Sequence, residues 1–398
     1  ILYRIMNLVQ GFGNKMNENV KTALVADWLV TYAGAERVMT EILKVFPKSD
    51  LFAVIDFLSD ESRQHFLGKH AQTTFIQKFP KAETKYRNYL PFMPLAIEQL
   101  DVSAYDVILS SSHAVAKGVL TGPDQLHISY VHSPIRYAWD LHHQYLRELG
   151  LTKGIKAIIV RWLLHKIRMW DYRTANGVDH FVANSKFIAR RIHKVYGRDA
   201  DVIYPPVDTD RFTLRENKDD FYFTASRMVP YKKIDLIVEA FSHMPNKKLV
   251  VIGDGPDMQK IKSKATSNIE ILGYQANSVM QDHMQRAKAF VFAAEEDFGI
   301  TPVESQACGT PVIAFGKGGA LETVNCEVGL HPTGTFFQKQ DVPSVITAVE
   351  YFEKNENLYL PENCRTNALK FSNQRFEQEL EIYVHSKWQM KQEEMSTL

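Results

Sequence analysis

The sequence predicts an α/β protein of two doubly wound, Rossmann-like domains, and three observations predict it. The 398 residues exceed what one hydrophobic core usually serves. Short apolar runs alternate with helical patterns along most of the chain, as in parallel sheets covered on both faces. Midway, Tyr204-Pro205-Pro206-Val207-Asp208 breaks that rhythm, and Pro-Pro forces an extended connection between domains. The expected organisation is a poorly ordered lead-in over 1–20, a first domain over 21–204 and a second over 205–372. A C-terminal helix within 373–398 has no strand after it to feed and is expected to pack back on the first domain.

Composition sets the outer bounds. A hydrophobic fraction of 45% and a charged fraction of 23% are ordinary for a soluble globular protein. The net charge of +1 hides an asymmetry: residues 1–204 carry 26 basic against 19 acidic residues, and 205–398 carry 21 against 27. A basic first half suits an anionic surface or ligand, although uneven scatter on a solvated surface explains it equally well. Cys308, Cys326 and Cys364 lack metal-ligand spacing and leave one thiol over in any pairing, which points to a reducing compartment. No apolar run approaches the roughly 20 residues of a membrane span. Ile1 to Asn19 offers neither a clean signal peptide nor a strong helix, and a start at Ile points to trimming or an unusual start.

In the first half, Lys21–Ala26 reads as a strand ending at Asp27-Trp28. A turn with Ala33-Gly34-Ala35 leads into a helix from Glu36 to about Val45. The single Gly34 is not a G-x-G-x-x-G phosphate fingerprint. Further strands are expected at 51–55, 74–75, 107–110, 127–131 and 180–183. Asp27, Ser110-Ser111-Ser112, His132 and Asn184-Ser185 all fall just past strands, where ligands bind in such folds, and are expected to line one crevice. His132 opens the polar–aromatic run His132-Ser133-Pro134-Ile135-Arg136-Tyr137, and a His there can donate to a sugar hydroxyl or phosphate oxygen. Residues 152–173 form the longest helical pattern. It is rich in Lys, Arg, Ile and Trp with Asp171 as its one acidic residue, which suits either a long domain helix or an anionic bilayer surface.

In the second half, strands are expected at 222–225, 248–252, 269–272 and 289–292, with helices at 233–242, from Asp257, and at 279–287. The segment Glu295 to Val324 concentrates the chemistry. Two carboxylates, Glu296 and Glu304, flank the turn Asp297-Phe298-Gly299. Pro302 suits the first turn of a helix over about 301–307, and Gly309 suits its end. Backbone N–H groups and a positive dipole end beside two carboxylates suit a ligand that combines an anionic part with hydroxyls, such as a sugar nucleotide.

The order of motifs narrows this further. Ser226-Arg227-Met228-Val229-Pro230-Tyr231-Lys232-Lys233 follows one strand and Val251-Ile252-Gly253-Asp254-Gly255-Pro256 the next. Glu296 and Glu304, with seven residues between them, then precede Gly309-Thr310-Pro311-Val312-Ile313-Ala314. This set resembles the donor half of the large retaining glycosyltransferase family with the GT-B fold, often called family 4. In that fold two Rossmann-like domains face each other across a cleft. Pro91-Phe92-Met93-Pro94, Tyr105 to His113 and His132 to Asp140 are similar to a mannosyltransferase-like branch, which serves bacterial O-antigen, lipopolysaccharide and exopolysaccharide assembly and uses GDP-mannose. The resemblance extends from Thr22 to Trp388.

The resemblance implies roles. Arg227 and Lys232 would clamp the donor diphosphate, Glu296 would accept from donor-sugar hydroxyls and Glu304 from the ribose. Backbone groups of Phe298, Gly299, Ile300 and Thr301 would help hold sugar and phosphate. The Gly253 turn would border the nucleotide, His132 would reach the sugar from the other domain, and Gly34 would leave space for phosphates and acceptor. No Asp-x-Asp clasp is present, so no metal and no cofactor beyond the nucleotide sugar are expected. Asp297, where Gly commonly precedes Phe-Gly, and Ala33, in place of the first of two glycines, depart from the pattern.

The expected function is transfer of a hexose, mannose from GDP-mannose, to a lipid-linked glycan in the cytoplasm at the inner membrane face. A UDP-sugar-dependent transferase, an epimerase or phosphorylase of the same fold, and a non-catalytic nucleotide-sugar or glycan binder stand as alternatives. A nicotinamide-dependent oxidoreductase is disfavoured because Gly253-Asp254-Gly255 lacks the dinucleotide fingerprint.

Overall fold

The computed structural model describes residues 19–327, 329 and 331–397. Most of the expected lead-in, through residue 18, lies outside the described residues. The chain divides into two compact units. One runs up to Ala183 and takes in Ile188–Asp201 and the chain from Glu377 on; the other comprises Asn184–Phe187 and Val202–Phe376.

The first unit is built on β1 (Thr22–Ala26), β2 (Asp50–Ala53), β3 (Gln72–Thr73), β4 (Val107–Ser112), β5 (Leu126–Val131), β6 (His180–Ala183) and β7 (Ala200–Val202). Their order is β3-β2-β1-β4-β5-β6-β7. The pairs β1–β2, β2–β3, β1–β4, β4–β5 and β5–β6 are parallel. Strands β1, β4 and β5 are buried at every position, which is why they read as continuous apolar or small-residue runs. Helix α1 (Gly34–Val45) follows β1, α2 (Ile155–Thr174) precedes β6, and α3 (Lys186–Tyr196) follows it. The strand expected at 74–75 lies two residues earlier, and Phe75–Lys78 forms a 3-10 turn capped by Thr74 Oγ1. β7 went unforeseen because three residues centred on Asp201 carry no apolar period.

The second unit holds β8 (Tyr222–Ala225), α4 (Ile234–Ser242), β9 (Leu249–Ile252), β10 (Ile269–Gly273), α5 (Asn277–Arg286), β11 (Ala289–Phe292), α6 (Ile300–Ala307), β12 (Val312–Phe315) and β13 (Gly334–Phe337). All neighbours in the order β10-β9-β8-β11-β12-β13 pair in parallel. Alternating side chains feed two cores. Tyr222, Leu249, Val251, Val291 and Ile313 fill one, and Phe223, Val250, Phe290 and Val312 fill the other. β13 escaped the sequence reading because it opens on Gly334. A Cβ there would lie 2.0 Å from the Val312 carbonyl oxygen, so close strand approach, not an apolar pattern, defines it.

The last helix, α7 (Asn373–Ser396), buries Phe376, Leu380, Val384 and Trp388 at four-residue spacing. From Glu377 it belongs to the first unit, where Tyr383 Oη donates to Asp201 at 2.9 Å.

Candidate active site

In the second unit the strand order reverses between β8 and β11, so the loops leaving these strands part around a crevice at the carboxyl ends of the sheet. Arg227 follows β8, and Glu295 to Phe298 follow β11. Lys232 Nζ donates to Glu296 Oε1, which joins the two loops. Both side chains keep 19% of their surface exposed. Arg227 is exposed and, among the described residues, its side chain forms no ion pair. One cation is thus held by a carboxylate while a second faces solvent, both at the switch point of the sheet.

Two glycine turns shape these loops. Gly253 has φ +142°, and a Cβ there would sit 1.9 Å from the Ser226 carbonyl oxygen. Gly255 has φ +154°, with the Met228 oxygen at 2.4 Å from its virtual Cβ. The backbones bond as they pass: Ser226 N–H to the Ile252 carbonyl at 3.1 Å and Met228 N–H to the Asp254 carbonyl at 2.8 Å. Gly253 therefore supports the segment carrying Arg227. A second pair does the same for the β11 loop. Gly319 N–H donates to the Glu296 carbonyl at 2.8 Å, and a Cβ on Gly318 or Gly319 would strike Glu296 or Phe298 backbone at 2.3 Å. The sequence signal for this pair was the run Gly316-Lys317-Gly318-Gly319, to which the sequence reading gave no role.

Phe298 is a core anchor, its ring packed on Tyr204 and Phe371. Gly299 caps α6 at φ +87°, which aims the first N–H groups of the helix, around Ile300 and Thr301, toward the loop. Glu304 lies one turn into α6 and is buried. Asp297 is buried too, and its carbonyl accepts from Ser185 Oγ at 2.6 Å. Glu322 accepts from the N–H groups of Lys186 and Phe187 at 2.8 and 2.9 Å. These contacts hold Asn184-Ser185 within the second unit, whereas Asp27 and His132 belong to the first.

In the first unit the reversal falls between β1 and β4. Asp27, just past β1, is buried and accepts four backbone N–H groups, from His113, Ala114, Val115 and Ala116, at 2.5 to 3.0 Å. His113 Nδ1 lies 2.9 Å from the same carboxylate. Burial opposes charge on both, yet the pairing prevails: the Asp27 carboxyl is held below its ordinary range and His113 above its own. His132, just past β5, is held by Ser111 Oγ at 2.8 Å from Nε2. Burial, and next the charge on His113, push His132 down to about 3. Gly34 opens α1, where Glu36 accepts from the Ala33 N–H at 3.1 Å. Residue spacing named Asp27 and His132 but could not disclose the ion pair, because 85 residues separate Asp27 from its partner loop.

Residues 207–371 match the family model of glycosyl transferases group 1, and residues 32–211 match glycosyltransferase family 4. Together the two matches span residues 32–371. The group 1 domain contains Arg227, Lys232, Glu296 and Glu304; the family 4 domain contains Gly34, Asp27's partner His113, and His132.

An uncharacterized glycosyltransferase of Methanocaldococcus jannaschii is 30% identical over 177 residues, 43% of this chain and 49% of that protein. A GDP-mannose-dependent alpha-(1-6)-phosphatidylinositol monomannoside mannosyltransferase of Mycolicibacterium smegmatis is 29% identical over 211 residues, 44% and 53% of the two chains. The chain thus spans about half the length of the curated relatives it matches. Among solved structures, HepE of Anabaena in complex with UDP superposes with a TM-score of 0.68 at 17% identity, covering 92% of this chain and 100% of HepE. The sucrose-phosphate synthase of Thermosynechococcus elongatus gives 0.70 at 15%, covering 92% and 99%. These likenesses establish the GT-B fold, two parallel-sheet Rossmann-like domains.

Proposed function

We propose that this chain is a retaining glycosyltransferase that moves mannose from GDP-mannose to a lipid-linked glycan in bacterial cell-surface polysaccharide assembly. The observation that carries the reading is the grouping of Arg227, the Lys232–Glu296 pair and buried Glu304 around the β8/β11 switch point. Arg227 and Lys232 offset charge building on the leaving diphosphate. Glu296 accepts from sugar hydroxyls, Glu304 from the ribose, and the backbone at 298–301 completes the cradle. His132 contacts the sugar from the family 4 domain. Retention is assigned to front-face attack, with the leaving phosphate helping to take the acceptor proton, so Glu296 holds the sugar and is not the nucleophile. The GDP-mannose-dependent relatives favour mannose; the UDP-bound HepE keeps a UDP-sugar as the second reading.

The test is a donor panel of GDP-mannose, UDP-glucose and UDP-N-acetylglucosamine, each with a lipid-diphosphate sugar acceptor. Transfer from GDP-mannose is expected, and it should persist in EDTA because two basic side chains can offset the diphosphate charge in place of a metal. Transfer from none of the three would refute the reading.

The acceptor is expected at a membrane surface through α2, although no helix among the described residues is long and apolar enough to cross a membrane. The helix is apolar on two sides. Ala157, Leu164, Ile167 and Asp171 face inward, where Lys117 Nζ pairs with Asp171 at 2.7 Å and Trp139 Nε1 donates to it at 2.7 Å. Outward, Ile155, Ile158, Ile159 and Trp162 are 77, 67, 52 and 57% exposed. Arg168 and Arg161 are engaged with the carbonyls of Ala138 and Thr152, and Arg173 with Glu98, which leaves Lys153, Lys156 and Lys166 as the basic rim. An apolar stripe edged by lysines suits anionic lipid headgroups. Flotation with anionic vesicles is expected to carry the protein up, and the double substitution Ile158→Ser with Trp162→Ser to abolish it. Equal flotation of both would contradict the assignment.

A further inference from the structure

His132 belongs to a chain of polar contacts that the transfer chemistry does not by itself require. Ser111 Oγ holds its Nε2 at 2.8 Å, and the His132 N–H donates to the Ser112 carbonyl at 2.9 Å. Beyond it stands the His113 ring, 6.3 Å away between centroids, tied to an Asp27 carboxylate already saturated by four backbone N–H groups. An acceptor so placed requires a donor from His113 Nδ1, and Trp28 packs edge-on against the same ring at 4.6 Å. The groups facing His132 and His113 are Tyr130 from β5, Asp27 after β1, Glu36 from α1 and Arg136 from the segment after β5. Burial disfavours charge on His132 most; His113 and Arg136 add positive charge in the same direction, against the opposing Asp27 carboxylate.

We propose that Ser111 and the Asp27–His113 pair are positioning residues for His132: Ser111 fixes the ring, and the pair sets a backbone-anchored imidazole beside a His132 whose burial already favours the neutral form. A neutral imidazole both donates and accepts, which suits a sugar hydroxyl, whereas an imidazolium only donates. The pair has a second effect. Because Asp27 also gathers the N–H groups of 113–116, the His113 ring is anchored to the same loop that follows β4, so its distance from His132 is set by backbone and not by a mobile side chain.

The value of this arrangement for transfer rests on the function proposed above; the state of the two rings does not. The test is therefore NMR of the full chain labelled with nitrogen-15 in histidine, titrated from about pH 8 to about pH 3. His113 is expected to titrate above the ordinary histidine value, and His132 to stay a neutral ring in one tautomer down to about pH 5. In His113→Gln the His132 titration should move upward by about one pH unit or more, and in Ser111→Ala a mixture of tautomers should appear. Kinetically, Ser111→Ala should lower kcat about tenfold with KM for the nucleotide sugar little changed. A wild-type His132 that titrates near the ordinary histidine value overturns the proposal, as do variants that leave its titration and tautomer unmoved. Should His113→Gln not fold, the wild-type titration alone decides. Loss of transferase activity in every preparation with the expected ring states would instead count against the function.

Discussion

Arg227→Ala is expected to lower kcat for glycosyl transfer by about a hundredfold, roughly 3 kcal/mol in the barrier, while leaving the fold intact. The side chain is exposed and, among the described residues, pairs with no carboxylate, so its removal costs little in packing or ion pairing. Lys232 differs, because it already holds Glu296. Truncating it removes a phosphate contact and also releases Glu296, so the two losses cannot be read separately. Arg227 is the cleaner probe of charge stabilisation. Part of its attraction acts on ground-state phosphate, so KM for the donor should rise as well; only the share that grows in the transition state appears in kcat. Steady-state kinetics of the wild type and the variant, with thermal unfolding as the control for fold, checks this. A variant with unchanged kcat and unchanged melting would remove Arg227 from the mechanism.

Gly253→Ala is expected to be the most damaging single change of backbone, destabilising the second unit by about 3 kcal/mol or more. Its φ of +142° is one that L side chains rarely adopt, and the new Cβ would lie 1.9 Å from the Ser226 carbonyl oxygen. That oxygen is backbone and cannot swing aside, so the strand-end segment carrying Arg227 must shift. The expected result is a melting temperature lower by roughly 6–12 °C together with loss of donor binding. Gly273→Ala is the informative comparison. Its φ is also positive, at +69°, but nothing lies within 4 Å of its virtual Cβ. It should carry the conformational penalty alone and keep donor binding. Equal effects of the two substitutions would show that the contact with Ser226 is unimportant.

Much of this was legible in the sequence. Arg227, Lys232, Glu296 and Glu304 follow strands at recognisable spacing, and the alternation of strands and helices gave both sheets. What escaped depends on distant backbone meeting backbone. The role of Gly253 as a support for Ser226, and of Gly318-Gly319 as a support for Glu296 and Phe298, is set by close approach between segments that local pattern cannot register. Asp27 looked like a ligand residue because it ends a strand; its carboxylate accepts from the backbone of residues 113–116, the loop after β4. Helix α2 misled in another way. Its apolar residues, which suited either a domain helix or a bilayer surface, divide between an inward stripe at Leu164 and Ile167 and an outward one at Ile158 and Trp162. A helix apolar on two sides shows a weak period, and the sequence cannot tell which side finds a partner. In the terminal helix the same effect is smaller: Val384 is buried while Ile382 is exposed.

The central claim is that the crevice at the β8/β11 switch point holds a nucleotide sugar whose glycosyl group is transferred with retention. The most direct measurement follows the anomeric proton of the product by NMR during reaction of GDP-mannose with a lipid-diphosphate sugar acceptor. The expected result is an α-mannosyl product appearing at the rate of GDP release, at least about a hundredfold slower with Arg227→Ala. Free mannose alone, an inverted anomer, or turnover indifferent to Arg227 would contradict it.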